Sequence, residues 1–162
     1  KPRTRGFRVL LAGPRIRWVH VVKRKRRVYL ALGSNLGNRE GMLDRARGAL
    51  LSCCNILRDS ENLENPPILH EDQPDFLNAV LEAETDLAPA ELLSRVKQIE
   101  QMLGRTARFR NGPREIDIDI LSMEGVRLHT EELTLPHPGL DRPYIAVLLA
   151  RLSLSPEDLK RH

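Results

Sequence analysis

The chain has two cysteines and few aromatics: Phe, Trp and Tyr together supply 4% of its 162 residues. Cys53 and Cys54 are adjacent, and sequence neighbours do not form an ordinary structural disulfide. No Cys-x-x-Cys and no zinc spacing occurs, which excludes a disulfide scaffold and a zinc module and predicts a reducing, cytoplasmic compartment. The scarcity of aromatics argues against a stacking surface for single-stranded nucleic acid. No apolar run approaches the roughly 18 residues of a membrane-spanning helix. The pattern Gly-x-x-x-x-Gly-Lys-Ser/Thr is missing, so a P-loop kinase is excluded.

Acidic residues are missing from 1–27, which carry eleven Lys or Arg. The whole chain has 26 basic and 22 acidic residues, so 28–162 hold 15 basic against 22 acidic, a net of −7. The high sequence pI of about 9.4 therefore belongs to the N-terminal segment. Any nucleic-acid role would rest on that segment, and a cationic tail without a specific partner is the plainer expectation. No clear secretory signal is evident in it, an organelle transit peptide stays open although Ser is absent, and an opening Lys in place of Met is expected of a processed or partial chain. Residues 1–27 are accordingly read as a basic extension and 28–162 as the core domain. With 41% hydrophobic and 30% charged residues, that core suits one globular domain.

Strands and helices are interspersed along it. Val28 to Leu32 reads as a strand that ends at Gly33-Ser34-Asn35-Leu36-Gly37-Asn38. Asn35 or Asn38 can cap a helix running to Cys53, with Leu43, Ala46, Leu50 and Cys53 near one face. Asn55 to Leu63 is expected to be a strand, and Phe76 to Thr85 a well-buried one. Pro89 opens an amphipathic helix with Leu92, Val96, Ile99 and Leu103 inward and a stop at Gly104. A turn over Met123 to Val126, a second short strand, a Pro-bounded segment at Leu133 to Pro138 and a last helix from Tyr144 to Leu152 follow. The interspersion predicts one α/β or α+β layer fold.

The most informative stretch is Arg114-Glu115-Ile116-Asp117-Ile118-Asp119-Ile120. Its strict alternation predicts a strand with isoleucines on one face and Asp117 and Asp119 on the other, about 7 Å apart. Like charges that close repel, so a cation should sit between them. Hard oxygen ligands suit Mg²⁺, which binds through one or two carboxylates plus substrate phosphates. Arg105, Arg108, Arg110 and Arg114 lie upstream, and His137 and Arg142 downstream. Arginines beside paired acids describe a phosphate and metal site. Taken alone, the strand fits the solvated face of an edge strand equally well.

Five strings in order weigh against that plain alternative: Leu32-Gly33-Ser34-Asn35-Leu36-Gly37-Asn38-Arg39-Glu40, Asp72 to Ala79, Gly104-Arg105, Gly112-Pro113-Arg114-Glu115-Ile116-Asp117-Ile118-Asp119-Ile120 and Leu135-Pro136-His137-Pro138. Together, over about residues 28–156, they resemble the 6-hydroxymethyl-7,8-dihydropterin pyrophosphokinase family of folate biosynthesis. The resemblance implies a ferredoxin-like α/β sandwich with a mainly antiparallel sheet. It implies transfer of pyrophosphate from ATP to the pterin's hydroxymethyl group, with release of AMP. Two Mg²⁺ held by Asp117 and Asp119 and a monomeric enzyme acting on small molecules are expected. Arg105 and Arg114 correspond to catalytic, phosphate-binding arginines. Glu100, Ile120, Thr134, His137 and Arg142 correspond to further ATP contacts, with Glu100 expected on the exposed side of its helix. Phe76 and Tyr144 resemble the aromatic pair around the pterin, the Asn78 amide and backbone groups near Asn65 would read its edge, and Pro66 and Ile68 would wall the pocket.

The chain departs from the family pattern at several points. Asn111 stands where Trp usual precedes Gly-Pro-Arg, Asn65 replaces Thr, Lys97 replaces Gln, and the second loop arginine falls at Arg108. The segment from His137 to Arg142 is one residue short, and the chain stops soon after Pro156. The Arg105–Gly112 loop is expected to close over bound ATP. A weakly or non-catalytic pterin or nucleotide binder, and nucleic-acid binding through residues 1–27, are the alternatives.

Overall fold

The computed structural model describes residues 7–9, 17–19, 23–67, 72–105 and 113–162. The expectations for Ile68, Arg108, Arg110, Asn111 and the closing loop lie outside the described residues. Two short strands near the start, β1 (Phe7–Val9) and β2 (Arg17–Val19), pair with each other antiparallel.

The main sheet is built from β3 (Arg26–Ser34), β4 (Asn55–Asp59), β5 (Leu63–Asn65), β6 (Phe76–Thr85) and β7 (Asp117–Met123). Its spatial order is β4-β6-β3-β7, with β5 continuing along the same edge of β6 as β4. All of its strand pairs are antiparallel, as the sequence reading expected. Residues 55–63 are not one strand: β4 ends at Asp59, and Glu61 takes a left-handed φ of 63° before β5 begins.

Helices cover both faces. α1 (Arg39–Leu50) and α2 (Pro89–Met102) pack on one face, burying Leu43, Ala46, Leu50, Leu92, Val96 and Ile99 against Leu30, Leu32, Ala79, Leu81, Ile118 and Ile120. α3 (Pro143–Ala150) and α4 (Pro156–Lys160) cover part of the other, where Ile145, Leu148, Leu149 and Leu159 meet Tyr29, Val80 and Leu121. The helix expected from Tyr144 to Leu152 is therefore shorter and is not the last; Ser155 opens α4 with a capping box to Asp158. Asn38 caps α1 by accepting from Gly41 N at 3.0 Å, while Asn35 is buried and used elsewhere. β8 (Leu128–His129) and β9 (Thr134–Leu135) form a small hairpin. Leu135–Pro136 is cis, and His137 N donates to Leu121 O at 2.8 Å, tying this segment to β7.

A buried carboxylate anchors the α3 side. Glu82 accepts from Tyr29 Oη at 2.7 Å and from Arg58 Nε and Nη2 at 3.0 and 2.8 Å. Arg58 Nη1 also donates to Leu152 O at 2.7 Å, just past α3. The Arg58 guanidinium holds the Glu82 carboxyl below its usual range. Every oxygen of this buried charge is thus partnered, as burial requires. Glu82→Ala orphans the buried Tyr29 hydroxyl and frees Arg58, so unfolding in urea should show a loss of about 2 kcal/mol. A loss under about 0.5 kcal/mol would mean that the network contributes no net stability.

Candidate active site

The register of the central strand sets the site. Across β3, Gly33 pairs with Asn78 on β6 and Asp117 on β7, and Ala31 pairs with Val80 and Asp119. Residues paired across adjacent strands point to the same face, so both aspartates emerge beside Asn78 on the α3 side, while Ile118 and Ile120 enter the α1/α2 core. Gly33 is required here: a Cβ would come within 2.8 Å of Asn78 Oδ1. A bulge between Tyr29 and Leu30 shifts the β7 register by one residue. α3 leaves this end of the sheet face open, and a cleft of about 490 Å³ occupies the opening.

The cleft brings together Asn65, Pro66, Phe76, Asn78, Glu100, Arg105, Arg114, Asp117, Asp119, Ile120, Thr134, His137, Arg142 and Tyr144. These are the residues that the sequence reading singled out, apart from the undescribed Ile68. Glu100 departs from expectation in one respect: it is buried, because it turns inward beside Ile99 to meet Arg105 rather than facing solvent.

Electrostatics dominate the floor. Asp117 accepts from Arg105 Nη1 through Oδ1 at 3.0 Å and from Arg114 Nη1 through Oδ2 at 2.9 Å. Arg105 also bonds Glu100. Among the described residues no guanidinium contacts Asp119 in this way; burial first, and then the charge of Asp117, push its carboxyl up to about 7. His137 Nε2 lies 3.8 Å from Asp119 Oδ1, beyond hydrogen-bonding distance. His137 Nδ1 accepts from Gly139 N at 2.9 Å. Burial and the Arg142 charge lower the His137 pKa, so the ring is neutral with its proton on Nε2, facing the cleft. Arg142 Nη1 donates to Tyr144 Oη at 3.3 Å, and burial raises the Tyr144 pKa, keeping the phenol protonated.

The other end is an amide and aromatic slot. Asn78 Nδ2 donates to Asn65 Oδ1, and Phe76 pairs in register with Asn65. Asn35 ties the two ends together. Its Nδ2 donates to Gln73 Oε1 at 2.9 Å and Pro74 O at 3.0 Å, and its Oδ1 accepts from Arg114 N at 2.9 Å.

Sequence reasoning missed Gly33, Gln73, Leu93, Glu131, Glu132, Leu133 and Pro138 in the lining. Lys97, noted earlier only as a departure, lines it too. Leu93 and Lys97 precede Glu100 by seven and three residues on α2, so helical spacing could have found them. Glu131 and Glu132 lie in the β8–β9 turn, where no periodicity marks them.

A family model described as 7,8-dihydro-6-hydroxymethylpterin-pyrophosphokinase matches residues 29–154. The chain is 41% identical over 127 residues to a 2-amino-4-hydroxy-6-hydroxymethyldihydropteridine pyrophosphokinase of Bacillus subtilis, a match covering 76% of each chain. It is 44% identical over 115 residues to the protein of the same name from Aquifex aeolicus, covering 71% of this chain and 72% of that one. A folic acid synthesis protein of Dictyostelium discoideum is 39% identical over 127 residues, and the match spans 19% of that longer protein.

The raised Asp119 pKa has a stability consequence. The folded chain holds this proton more tightly than the unfolded chain, whose carboxyl titrates near 4. Stability is therefore lost as pH rises from about 4 through the folded value of about 7. The side chain is 31% exposed, so solvent screening reduces the penalty to roughly 1 kcal/mol. In buffer free of divalent cations, Asp119→Asn should melt higher than wild type at pH 8 and alike at pH 4. An equal gain at both pH values, or none at pH 8, would refute the assignment.

Proposed function

The chain belongs to the 7,8-dihydro-6-hydroxymethylpterin-pyrophosphokinase family, and on that premise we propose that its cleft transfers the β,γ-pyrophosphoryl group of ATP to the hydroxymethyl oxygen of 6-hydroxymethyl-7,8-dihydropterin, releasing AMP. The observation that carries this reading is the convergence, in one cleft, of a carboxylate pair ringed by arginines with an amide and aromatic slot. No observation favours a non-catalytic binder or a nucleic-acid-binding role.

The donor set fits Mg²⁺. Asp117 and Asp119 offer hard oxygens from one strand face. No cluster of three or more His, Cys, Asp or Glu occurs among the described residues, and such a sparse set suits an ion that completes its octahedron with waters and phosphates. Two Mg²⁺ at this pair would neutralise triphosphate charge and acidify the attacking hydroxyl.

The chain's own side chains do the remainder. Arg105 and Arg114, held on Asp117 here, turn from carboxylate to phosphate oxygens as the nucleotide binds, a bidentate exchange that guanidinium geometry favours. Neutral His137 offers its Nε2 proton to a phosphate oxygen, and Arg142 adds charge on the same side. Ile120, Thr134 and Glu100 hold the nucleoside end. Asn78 and Asn65 present paired donor and acceptor groups to the pterin edge, between Phe76 and Tyr144 and against Pro66. A monomeric enzyme acting on these small molecules is part of the same proposal. No helix among the described residues is long and apolar enough to cross a membrane. A cytoplasmic setting, where both thiols would stay reduced, is part of the same proposal.

AMP release from ATP and Mg²⁺, with and without the pterin, tests the reading. Wild type should form AMP only when the pterin is present. Asp117→Ala and Asp119→Ala should each lower the rate at least about a thousandfold while circular dichroism stays native. Near-normal rates in both variants would remove the metal assignment, and no AMP from folded wild type would remove the reaction.

A further inference from the structure

Cys53 and Cys54 lie in the turn after α1, at the opposite end of that helix from the Asn38 cap, and neither lines the cleft. Cys54 is buried and Cys53 half-buried. Their Sγ atoms are 3.7 Å apart. The backbone that carries them is held at several points. Both N–H groups donate to Leu50 O, at 3.0 and 2.9 Å, and the Thr85 hydroxyl donates to Cys53 O at 2.8 Å.

That backbone opposes a disulfide. Ordinary disulfides join Cα atoms about 4.4–6.8 Å apart, whereas neighbours across a trans peptide sit about 3.8 Å apart. Closing the pair would draw the sulfurs to about 2.05 Å and turn the peptide out of its hydrogen bonds. A zinc site is not built either, since no third His, Cys, Asp or Glu completes a cluster among the described residues. Two sulfurs at this spacing suit a single soft atom that needs two thiolates and brings its third substituent with it.

The surroundings prepare the pair. Arg95 Nη2 lies 3.3 Å from Ser52 Oγ, next to Cys53. The hydrogen bond between the two sulfurs, aided by the Arg95 charge, holds the Cys53 thiol down at about 7. The same hydrogen bond and burial hold Cys54 up. Cys53 is thus the more accessible and more readily ionised thiol and the first nucleophile, and Cys54 the second ligand close behind it.

We propose that Cys53 and Cys54 form a vicinal dithiol site that captures a trivalent organoarsenical of the type R–As=O as a cyclic dithioarsenite. Two S–H bonds break and two As–S bonds form. The arsenic-bound oxygen leaves as water with both protons, and arsenic remains trivalent, so no oxidant or reductant takes part.

Phenylarsine oxide tests the site on the full folded chain, read by intact-mass spectrometry. One adduct per chain should form, survive an excess of 2-mercaptoethanol and be removed by 2,3-dimercaptopropanol. It should be lost in Cys53→Ser and in Cys54→Ser. Should Cys54→Ser fail to fold, the half-buried Cys53→Ser decides alone. No adduct on folded wild type, or an adduct that persists in a folded single variant, would overturn the proposal. Equal capture by the urea-unfolded chain would overturn the claim that the fold builds the site.

Discussion

Strand β3 hydrogen-bonds along both of its edges, to β6 and to β7, and both of its faces meet helices or the cleft. Its register is therefore pinned from four sides. A slip of one residue would carry Asp117 and Asp119 into the α1/α2 core and push Ile118 and Ile120 towards the cleft, at the cost of burying two carboxylates. The same register seats Gly33 against Asn78 and brings Asn35, just past the strand, to the Arg114 backbone. Phosphate-side and amide-side groups are thus positioned by one strand. Asp117, Asp119 and Asn78 owe their places to the sheet, while Arg105, Arg114 and His137 reach them from segments outside the strands.

The carboxylate pair stands against stability. Asp119 is held near neutrality by burial and by its neighbour, while Asp117 draws both guanidinium groups. Glu82 makes the contrast plain. It is buried on the same sheet, yet Arg58 and Tyr29 satisfy it fully and its carboxyl is stabilised as an anion. One buried acid is thus completed by the fold. Asp119, partly exposed in the cleft, has no guanidinium contact among the described residues, and the neighbouring Asp117 charge works against its ionisation.

Much of this was legible in the sequence, for identifiable reasons. The Ile/Asp alternation survives because β7 has one face in the core and one in the cleft. The stop of α2 at Gly104 follows from its left-handed φ of 90°. Pro89, Leu92, Val96 and Ile99 mark their helix because burial and spacing agree. The misreadings share another cause. Glu100 looked exposed because helical spacing records which residues are apolar, not which acid meets an arginine arriving from the next loop. The break between β4 and β5 rests on Glu61, whose side chain does not announce a left-handed backbone. α4 has five residues and depends on a capping box, too short for periodicity to register. Asn35 had the chemistry of a helix cap but is spent on three long-range hydrogen bonds, which only the folded chain brings within reach.

The bulge opposite Tyr29 and Leu30 reverses the alternation of β7. Up to Ile120, even-numbered residues of β7 face the α1/α2 core and odd-numbered ones the α3 side. Leu121 is the extra residue, after which Met123 joins the α1/α2 core beside Val28, out of the earlier alternation. A strand without the bulge would send Met123 to the α3 side, where Glu82 and Arg58 meet Tyr29. The bulge lets one strand offer carboxylates to the cleft at its start and bury Leu121, Ser122 and Met123 at its end, and it also bends the strand locally. The string of alternating isoleucines ends where the strand passes from lining the cleft to filling the core.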